Sequence, residues 1–352
     1  MKILAIESSC DETAASVVEV KSGNFEILSN IIASQVKVHA KYGGIIPEVA
    51  ARLHVEKILP IIEKALVEAE TDWKKIDYIA VTGGPGLVSS LMVGIETAKT
   101  LAYIHKIPLI RVNHIEGHLL SGQMSKVKGQ KFPVIGLVVS GGHTQIILVK
   151  DYLKYKLIGE TRDDAAGEAF DKVAKILDLG YPGGPAISVC AEKVKNSKFN
   201  VKKITTKIKL PRPMLDKGNF DMSFSGLKTA VRYLWEDLNK ELSKKDLEKV
   251  KPLIAKEFQS AVIEVLVTKT IKATIMYKAK RIILGGGVSA NSELRKVLIE
   301  VAKQNAIEVC VPELSLTGDN AAMIGVAAYY HIKKKDFINP FEFKADPQWE
   351  LV

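Results

Sequence analysis

Two stretches of this chain, Ile3–Val20 (ILAIESSCDETAASVVEV) and Val134–Asp151 (VIGLVVSGGHTQIILVKD), follow one plan. Each is a short apolar run, a polar turn of small residues, and a second β-rich run. A third strand pattern follows in both copies, FEILSNII from Phe25 and YKLIGE from Tyr155. A repeated, hairpin-led sheet predicts two sheets built alike, each completed by the helices and strands that come after it. After the first copy, helices are predicted over Pro47–Glu70 and Ser89–His105, separated by the strand YIAVTGG, and the strand PLIRV leads into a pair of histidines. After the second come GEAFDKVAKILDLG and GGPAISVCAEKV, then long helical patterns over Phe224–Trp235 and Asp246–Lys272. RIILGGGVSANSELRKVLIEVAKQ reads as strand, Gly-rich turn and helix, IEVCVP as a strand, and DNAAMIGVAAYYHIKK as a closing helix.

The class is therefore α/β. Two hairpin-led sheets, each followed by helices and further strands, resemble the two-lobed architecture of the actin, Hsp70 and sugar-kinase group. In that group both hairpin turns face the cleft between the lobes and hold a nucleotide's phosphates through backbone N–H groups. The expected boundaries are 1–131 for an N-terminal lobe and 132–318 for a C-terminal lobe with a basic insertion near 192–217. Residues 319–352 form a closing helix and tail that pack back toward the N-terminal lobe.

With 47% apolar and 26% charged residues the chain reads as a soluble globular protein. No apolar run approaches membrane-spanning length, and the first residues, MKILAIESSCDE, meet acids too soon for a signal or transit peptide. Three widely spaced cysteines argue against a disulfide framework and for a reducing compartment, so a cytoplasmic location is expected. The net charge of +10 is uneven: Glu192–Lys217 holds nine basic residues against two acidic ones, a local +7. Taken alone such a run is a solvated surface, but clustered Lys and Arg also release counterions on meeting a nucleic acid.

The stretch VNHIEGHLL sets His114 and His118 four apart, on one face of a short helix, where both can grip one metal ion. A zinc protease would place a glutamate directly after the first histidine. Here that place is Ile115, and Glu116 points away from anything both histidines hold. A third ligand is needed. Asp319, ahead of the closing apolar helix, is the best by type, with a helix N-cap as its ordinary role. Ser140-Gly141-Gly142 can bring backbone amides close to an anion, and GGGVSANSELR and GYPGGPA are further Gly-rich turns into helices. Asp11 and Glu12 would repel a bare phosphate in the first turn, so they suit a cation or a base. Cys10 has no neighbouring histidine to activate it and reads as a packing residue.

Together ESSCDETAAS, NHIEGHLLSG, VSGGHTQI, DDAAGEAFDKVAKILDLGYPGGP, SFSGLKTAV, GGGVSANSELR and DNAAMI resemble one family, from Lys2 to Ala328. It is the Kae/Tsa/Qri family, in its bacterial TsaD branch of tRNA N6-adenosine threonylcarbamoyltransferases. The resemblance implies the actin and Hsp70 type of fold. It also implies transfer of the threonylcarbamoyl group of threonylcarbamoyl-AMP to N6 of adenosine 37, just 3′ of the anticodon, in tRNAs reading codons that begin with A. The implied ligands of one divalent metal ion, Fe2+ or Zn2+, are His114, His118 and Asp319. The implied substrate cradle is Val138, Val139, Ser140, Gly141 and Gly142 with Asp171, Gly184 and Asn291. Val138 stands where the archaeal and eukaryotic branch has a tyrosine ligand, Ser188 where many relatives have an acid, and Gly318 where a threonine is common. Implied partners are tRNA, the paralogue TsaB and the ATPase TsaE, with a homodimer when TsaB is absent and no membrane.

Adenosine's amine is a poor nucleophile, so catalysis needs positioning, charge stabilisation at the carbonyl and a proton acceptor, for which Asp11 is the candidate. A metalloprotease would need an acid at position 115 or a ligand soon after His118. An ATPase or sugar kinase of the same fold would usually carry an aspartate where this chain has Glu7. A non-enzymatic scaffold leaves the turn motifs without a reason.

Overall fold

The computed structural model describes residues 1–122, 132–196 and 208–351. The chain forms two compact units: Met1–Gly129 with Asp151–Tyr155 and Pro312–Val352, and Gln130–Lys150 with Lys156–Val311.

In the first unit, β1 (Lys2–Glu7), β2 (Glu12–Lys21) and β3 (Asn24–Ser34) form an antiparallel meander, to which β4 (Tyr78–Gly84) and β5 (Leu109–Asn113) add in parallel. The order is β3-β2-β1-β4-β5. A short α1 (Val36–His39) leads to α2 (Pro47–Glu68), and α3 (Val88–His105) and α4 (His114–Ser121) follow β4 and β5. Side chains alternate across the sheet. Leu4 and Ile6 face Ile58, Ile62, Leu91 and Ile95 of α2 and α3. Ile3 and Ala5 face the opposite layer, where Met323, Ile324 and Ala327 of the last helix lie. Burying one such Ile or Met side chain stabilises the unit by about 1.5–3 kcal/mol.

In the second unit β6 (Val134–Val139), β7 (Thr144–Asp151), β8 (Lys154–Glu160), β9 (Arg281–Gly285) and β10 (Glu308–Cys310) give the order β10-β9-β6-β7-β8. With β6 standing for β1, this is the first sheet's order again, with the same antiparallel hairpin and parallel additions. The duplication read in the sequence is therefore present in strand order and direction. Helices α5 (Ala166–Ile176), α6 (Gly183–Glu192), α7 (Ser225–Glu241), α8 (Lys244–Met276) and α9 (Ser292–Gln304) complete the unit. Ile135, Leu137 and Val139 of β6 share one core with Phe170 of α5 and Phe258 of α8. The predicted Asp246–Lys272 helix starts two residues earlier because Ser243 caps it, accepting from the Asp246 amide. The closing helix α10 (Ala321–Lys333) belongs to the first unit. Of the basic insertion, Lys198, Lys202, Lys203 and Lys207 lie outside the described residues.

Candidate metal centre and nucleotide pocket

The metal candidate is assembled from two helix starts. β5 delivers the chain to Asn113, whose side-chain oxygen accepts from the Ile115 amide at 2.9 Å and so caps α4. His114 and His118 then fall one turn apart, both buried, with ring centroids 4.6 Å apart and planes at 81°. Gly117 lets α10 approach: a Cβ there would lie 2.9 Å from Ile324 Cδ1 and 3.1 Å from Met323 Cγ. The close approach carries in the start of α10. Its N-cap is Asn320, which accepts from the Met323 amide at 3.0 Å. Asp319, one residue earlier, is thereby released from the capping role and turns to the histidines. Its Oδ1 lies 3.2 Å from His118 Nε2 and 3.5 Å from His114 Nε2.

These three residues form a cluster compatible with a metal ion, their ligating atoms all within 4.8 Å of one another. Two ligands each about 2.1 Å from one ion at a tetrahedral angle lie about 3.4 Å apart, close to the two separations found here. Neither ring nitrogen of the fully buried His118 has a well-aligned hydrogen-bond partner among the described residues. A metal ion would supply such a partner, and a two-nitrogen, one-oxygen donor set is of the kind that holds a divalent transition metal.

Glu7, at the end of β1, supports this centre. Its Oε2 lies 3.1 Å from His114 Nδ1 and accepts from Thr82 Oγ1 at 2.5 Å, while Oε1 accepts from the Ser9 amide at 2.6 Å. A carboxylate at Nδ1 keeps the proton there and leaves Nε2 facing Asp319, the arrangement seen behind many metal-bound histidines. Burial alone would raise the Glu7 pKa, but the charge and hydrogen bond of His114 outweigh it and the net shift is downward. Burial likewise opposes His114's proton, yet Asp319 and Glu7 together hold its pKa up at about 9. His118 has no such carboxylate behind it, and burial shifts it downward. Glu7 is thus occupied behind His114, unlike the acid of a kinase hairpin.

Glu116 faces the other way, as its helical angle requires. Buried, it accepts from Tyr155 at 2.6 Å, and its second oxygen lies 2.7 Å from His331 Nε2 of α10. The His331 Nδ1 in turn lies 2.9 Å from Asp336. This is a strut between the histidine helix and α10. With Ile115 also buried, the histidine helix offers no acid at the place a zinc protease uses.

The first hairpin turn lies beside these residues. Ser8 donates to the Ser90 carbonyl at 2.9 Å, and His54 Nε2 donates to the Cys10 carbonyl at 3.0 Å. Since a carbonyl only accepts, His54 Nδ1 is then the acceptor for Thr13, 2.8 Å away. On this mounting Asp11 lies between Cys10 and Glu12 in sequence and acts on both electrostatically. Burial, then the charges of Asp11 and Asp319, push Glu12 up to about 10, so it holds its proton at neutral pH. Burial and the same acids push the Cys10 thiol well up, which excludes a thiolate nucleophile and fits its packing role.

The second unit holds a separate cavity of about 440 Å³, within the usual range for small-ligand sites. It gathers Gly141, Phe170, Asp171, Gly184, Ser188 and Asn291. Four residues of the expected cradle, Gly141, Asp171, Gly184 and Asn291, therefore meet there, while Val138, Val139, Ser140 and Gly142 are not among its lining. Val138 and Val139 side chains are fully buried, and the Ser140 amide closes the turn onto the His143 carbonyl at 2.8 Å. The amides of Gly141 and Gly142 make no hydrogen bond among the described residues, which leaves them to an anion. Gly286 keeps its place at φ +85°, because a Cβ would sit 2.4 Å from the Val139 carbonyl oxygen.

Asn291 is committed inside the protein. Its oxygen caps α9 at Leu294, 2.9 Å away, and its nitrogen donates to Ser188 and Gln259 at 3.0 and 2.9 Å. It shapes the wall rather than offering a free donor. His54, Gln259 and His331 were missed in the sequence, and Glu7 was read only as standing where a kinase would carry an aspartate. Only Glu7, the first residue of the ESSCDETAAS motif, had a local signal.

Residues 26–326 match the family described as TsaD, tRNA N6-adenosine threonylcarbamoyltransferase. The enzyme of that name from Clostridioides difficile is 51% identical over 328 residues, 93% of this chain and 92% of its own. The one from Syntrophomonas wolfei is 45% identical over 345 residues, 98% and 96% of the two chains. Among solved structures, full-length HypF in its phosphate- and nucleotide-bound form superposes with TM-score 0.60 at 15% identity, over 95% of this chain and 46% of its own. The (R)-2-hydroxyglutaryl-CoA dehydratase component A of Acidaminococcus fermentans gives TM-score 0.52 at 15% identity, over 95% and 99%. At that identity these two establish the fold alone, as the actin and Hsp70 type expected. The full-length similarity establishes the rest: this chain belongs to the TsaD family of tRNA N6-adenosine threonylcarbamoyltransferases.

Proposed function

We propose that the chain takes threonylcarbamoyl-AMP as donor and N6 of adenosine 37 as acceptor, in tRNAs reading codons that begin with A. The observation that carries the reading is the His114, His118 and Asp319 set, with both imidazoles buried and facing the one carboxylate, in a member of this family. A bound Fe2+ or Zn2+ supplies Lewis acidity toward the donor's carbonyl. The rest falls to the protein. The Gly141 and Gly142 amides, which make no hydrogen bond among the described residues, suit the donor's phosphate, and the cavity that Gly141 and Asn291 line suits its nucleoside. The amine attacks the carbonyl carbon, the bond to the phosphate oxygen breaks, AMP leaves, and the amine's proton passes to a base. Asp11 is that base in our reading. Its protonated neighbour Glu12 keeps the turn from carrying two adjacent charges.

The partners follow the same reading. Val55 and Leu59 of α2 and Val88 and Met92 of α3, each pair one helical turn apart, are more than half exposed. Solvent gives apolar rows no reason to be there, and they support docking of the TsaB paralogue, with TsaE joining the assembly. A second copy of this chain suits the same face when TsaB is absent. No helix of the described residues is long and apolar enough to cross a membrane, and we place the protein in the cytoplasm. The test is formation of threonylcarbamoyladenosine from threonylcarbamoyl-AMP and unmodified tRNA. The reading expects product with the wild-type chain and almost none with His118→Ala.

A further inference from the structure

The second unit has another cavity, of about 510 Å³, lined by Lys172, Lys175 and Ile176 of α5 and by Lys228, Thr229, Arg232 and Tyr233 of α7. Four of these seven residues are cations and none is an acid. The rows follow helix periodicity, so side chains from two packed helices converge on one groove. Its floor is fixed: Asp164, largely buried, holds Lys172 at 2.8 Å and Lys228 at 3.2 Å. Glu168 takes a second bond from Lys172, and Glu236 holds Arg232 at 2.7 Å, so two of the cations stand beside flanking acids at the rim. Lys175 is exposed and makes no ion pair among the described residues. Tyr233 stands beside them with 61% of its surface exposed, a large ring that the fold leaves open to solvent.

From this groove we infer an RNA contact on the protein: a stretch of the substrate tRNA backbone lies against Lys175, Lys228 and Arg232, with one unpaired base stacked on Tyr233. The inference rests on the function proposed above and names where its polymeric substrate is held. Cations aligned along a groove suit successive phosphates, and an exposed aromatic ring among them suits a base, which an acidic peptide does not offer. The groove adjoins the nucleotide cavity through one helix. Phe170 and Asp171 of α5 line that cavity, and the next residue, Lys172, lines the groove. An RNA held there is anchored within one helix of the donor's site.

The test uses the full-length chain, unmodified substrate tRNA and a salt series. Lys175→Ala with Arg232→Ala removes two exposed cations and leaves Asp164 and its two lysines in place. The double variant is expected to bind tRNA more weakly and to lower the log–log salt slope by about 1.4 to 1.8 in magnitude. Tyr233→Ala is expected to weaken binding about tenfold at every salt concentration, with Tyr233→Phe near wild type. AMP binding to the nucleotide cavity and the thermal midpoint should not move in any of them. Wild-type affinity and slope in the double variant would overturn the inference while leaving the transferase reading intact. So would a variant that loses binding of poly-glutamate but keeps tRNA. A wild-type chain that makes no modified tRNA brings down the reading itself.

Discussion

Glu7→Gln changes one buried oxygen to an amide nitrogen and leaves the shape of the side chain unaltered. Every partner of Glu7 is a donor: the Ser9 amide on one oxygen, the Thr82 hydroxyl and the His114 Nδ1–H on the other. Whichever way the new amide turns, its NH2 faces a donor. If it faces Ser9, two N–H groups oppose each other at 2.6 Å with no solvent to relieve them. If it faces His114, Nδ1–H loses its carboxylate acceptor, and nothing then holds the proton on Nδ1 in preference to Nε2, the atom that looks toward Asp319. Loss of such a supporting bond costs about 10- to 100-fold in metal affinity, or about 1.4–2.8 kcal/mol. The assay is competition of the purified variant with a chelator for Zn2+ or Co2+, alongside its thermal midpoint in the metal-free form. An affinity equal to wild type would refute the argument.

Other consequences follow from the same geometry. His114→Ala, His118→Ala and Asp319→Ala should each lose bound metal and most transfer activity with circular dichroism unchanged, and full metal occupancy in the double histidine variant would end the assignment. Gly286→Ala puts a Cβ against the Val139 carbonyl at a positive φ, and urea titration should show a loss of about 2 kcal/mol or more. Burial lowers the His331 pKa, but Glu116 and then Asp336 outweigh it and the net shift is upward. Its folded pKa therefore lies above the unfolded value of about 6.5, so its contribution is complete below that pH and fades as pH rises through the folded value. The stability gap between wild type and His331→Asn, from denaturation midpoints across pH 5.5 to 9, should narrow toward the alkaline end. Sedimentation with cognate TsaB should give a heteromeric species that Leu59→Glu with Met92→Glu abolishes.

What could be read before any coordinates had a local signature. The two hairpins announce themselves by alternation around small-residue turns, and the parallel strands β4, β5, β9 and β10 by short apolar runs before helices. The histidine pair is legible because a helix turns a spacing of four into a shared face. Asp319 was legible only by type: nothing in its neighbourhood says that Asn320 takes the cap and frees it. Contacts between distant segments left no pattern. Glu7 meets His114 from 107 residues away, and His331 meets Glu116 from 215. Four of the residues expected in the cradle line one cavity, and two of them are glycines, which mark where backbone can be approached closely. Sequence could not show that Val138 and Val139 turn wholly inward, or that Asn291 has both ends occupied by Leu294, Ser188 and Gln259.

The most direct measurement of the central claim is a nucleoside analysis of unmodified tRNA after incubation with threonylcarbamoyl-AMP, the metal-loaded chain and its TsaB and TsaE partners. The account predicts one threonylcarbamoyladenosine per tRNA that reads codons beginning with A, at the adenosine 3′ of the anticodon, and almost none with Asp319→Ala in the same mixture. Equal product from wild type and Asp319→Ala, or none from wild type where the Clostridioides difficile enzyme with its own partners makes it, would contradict the account.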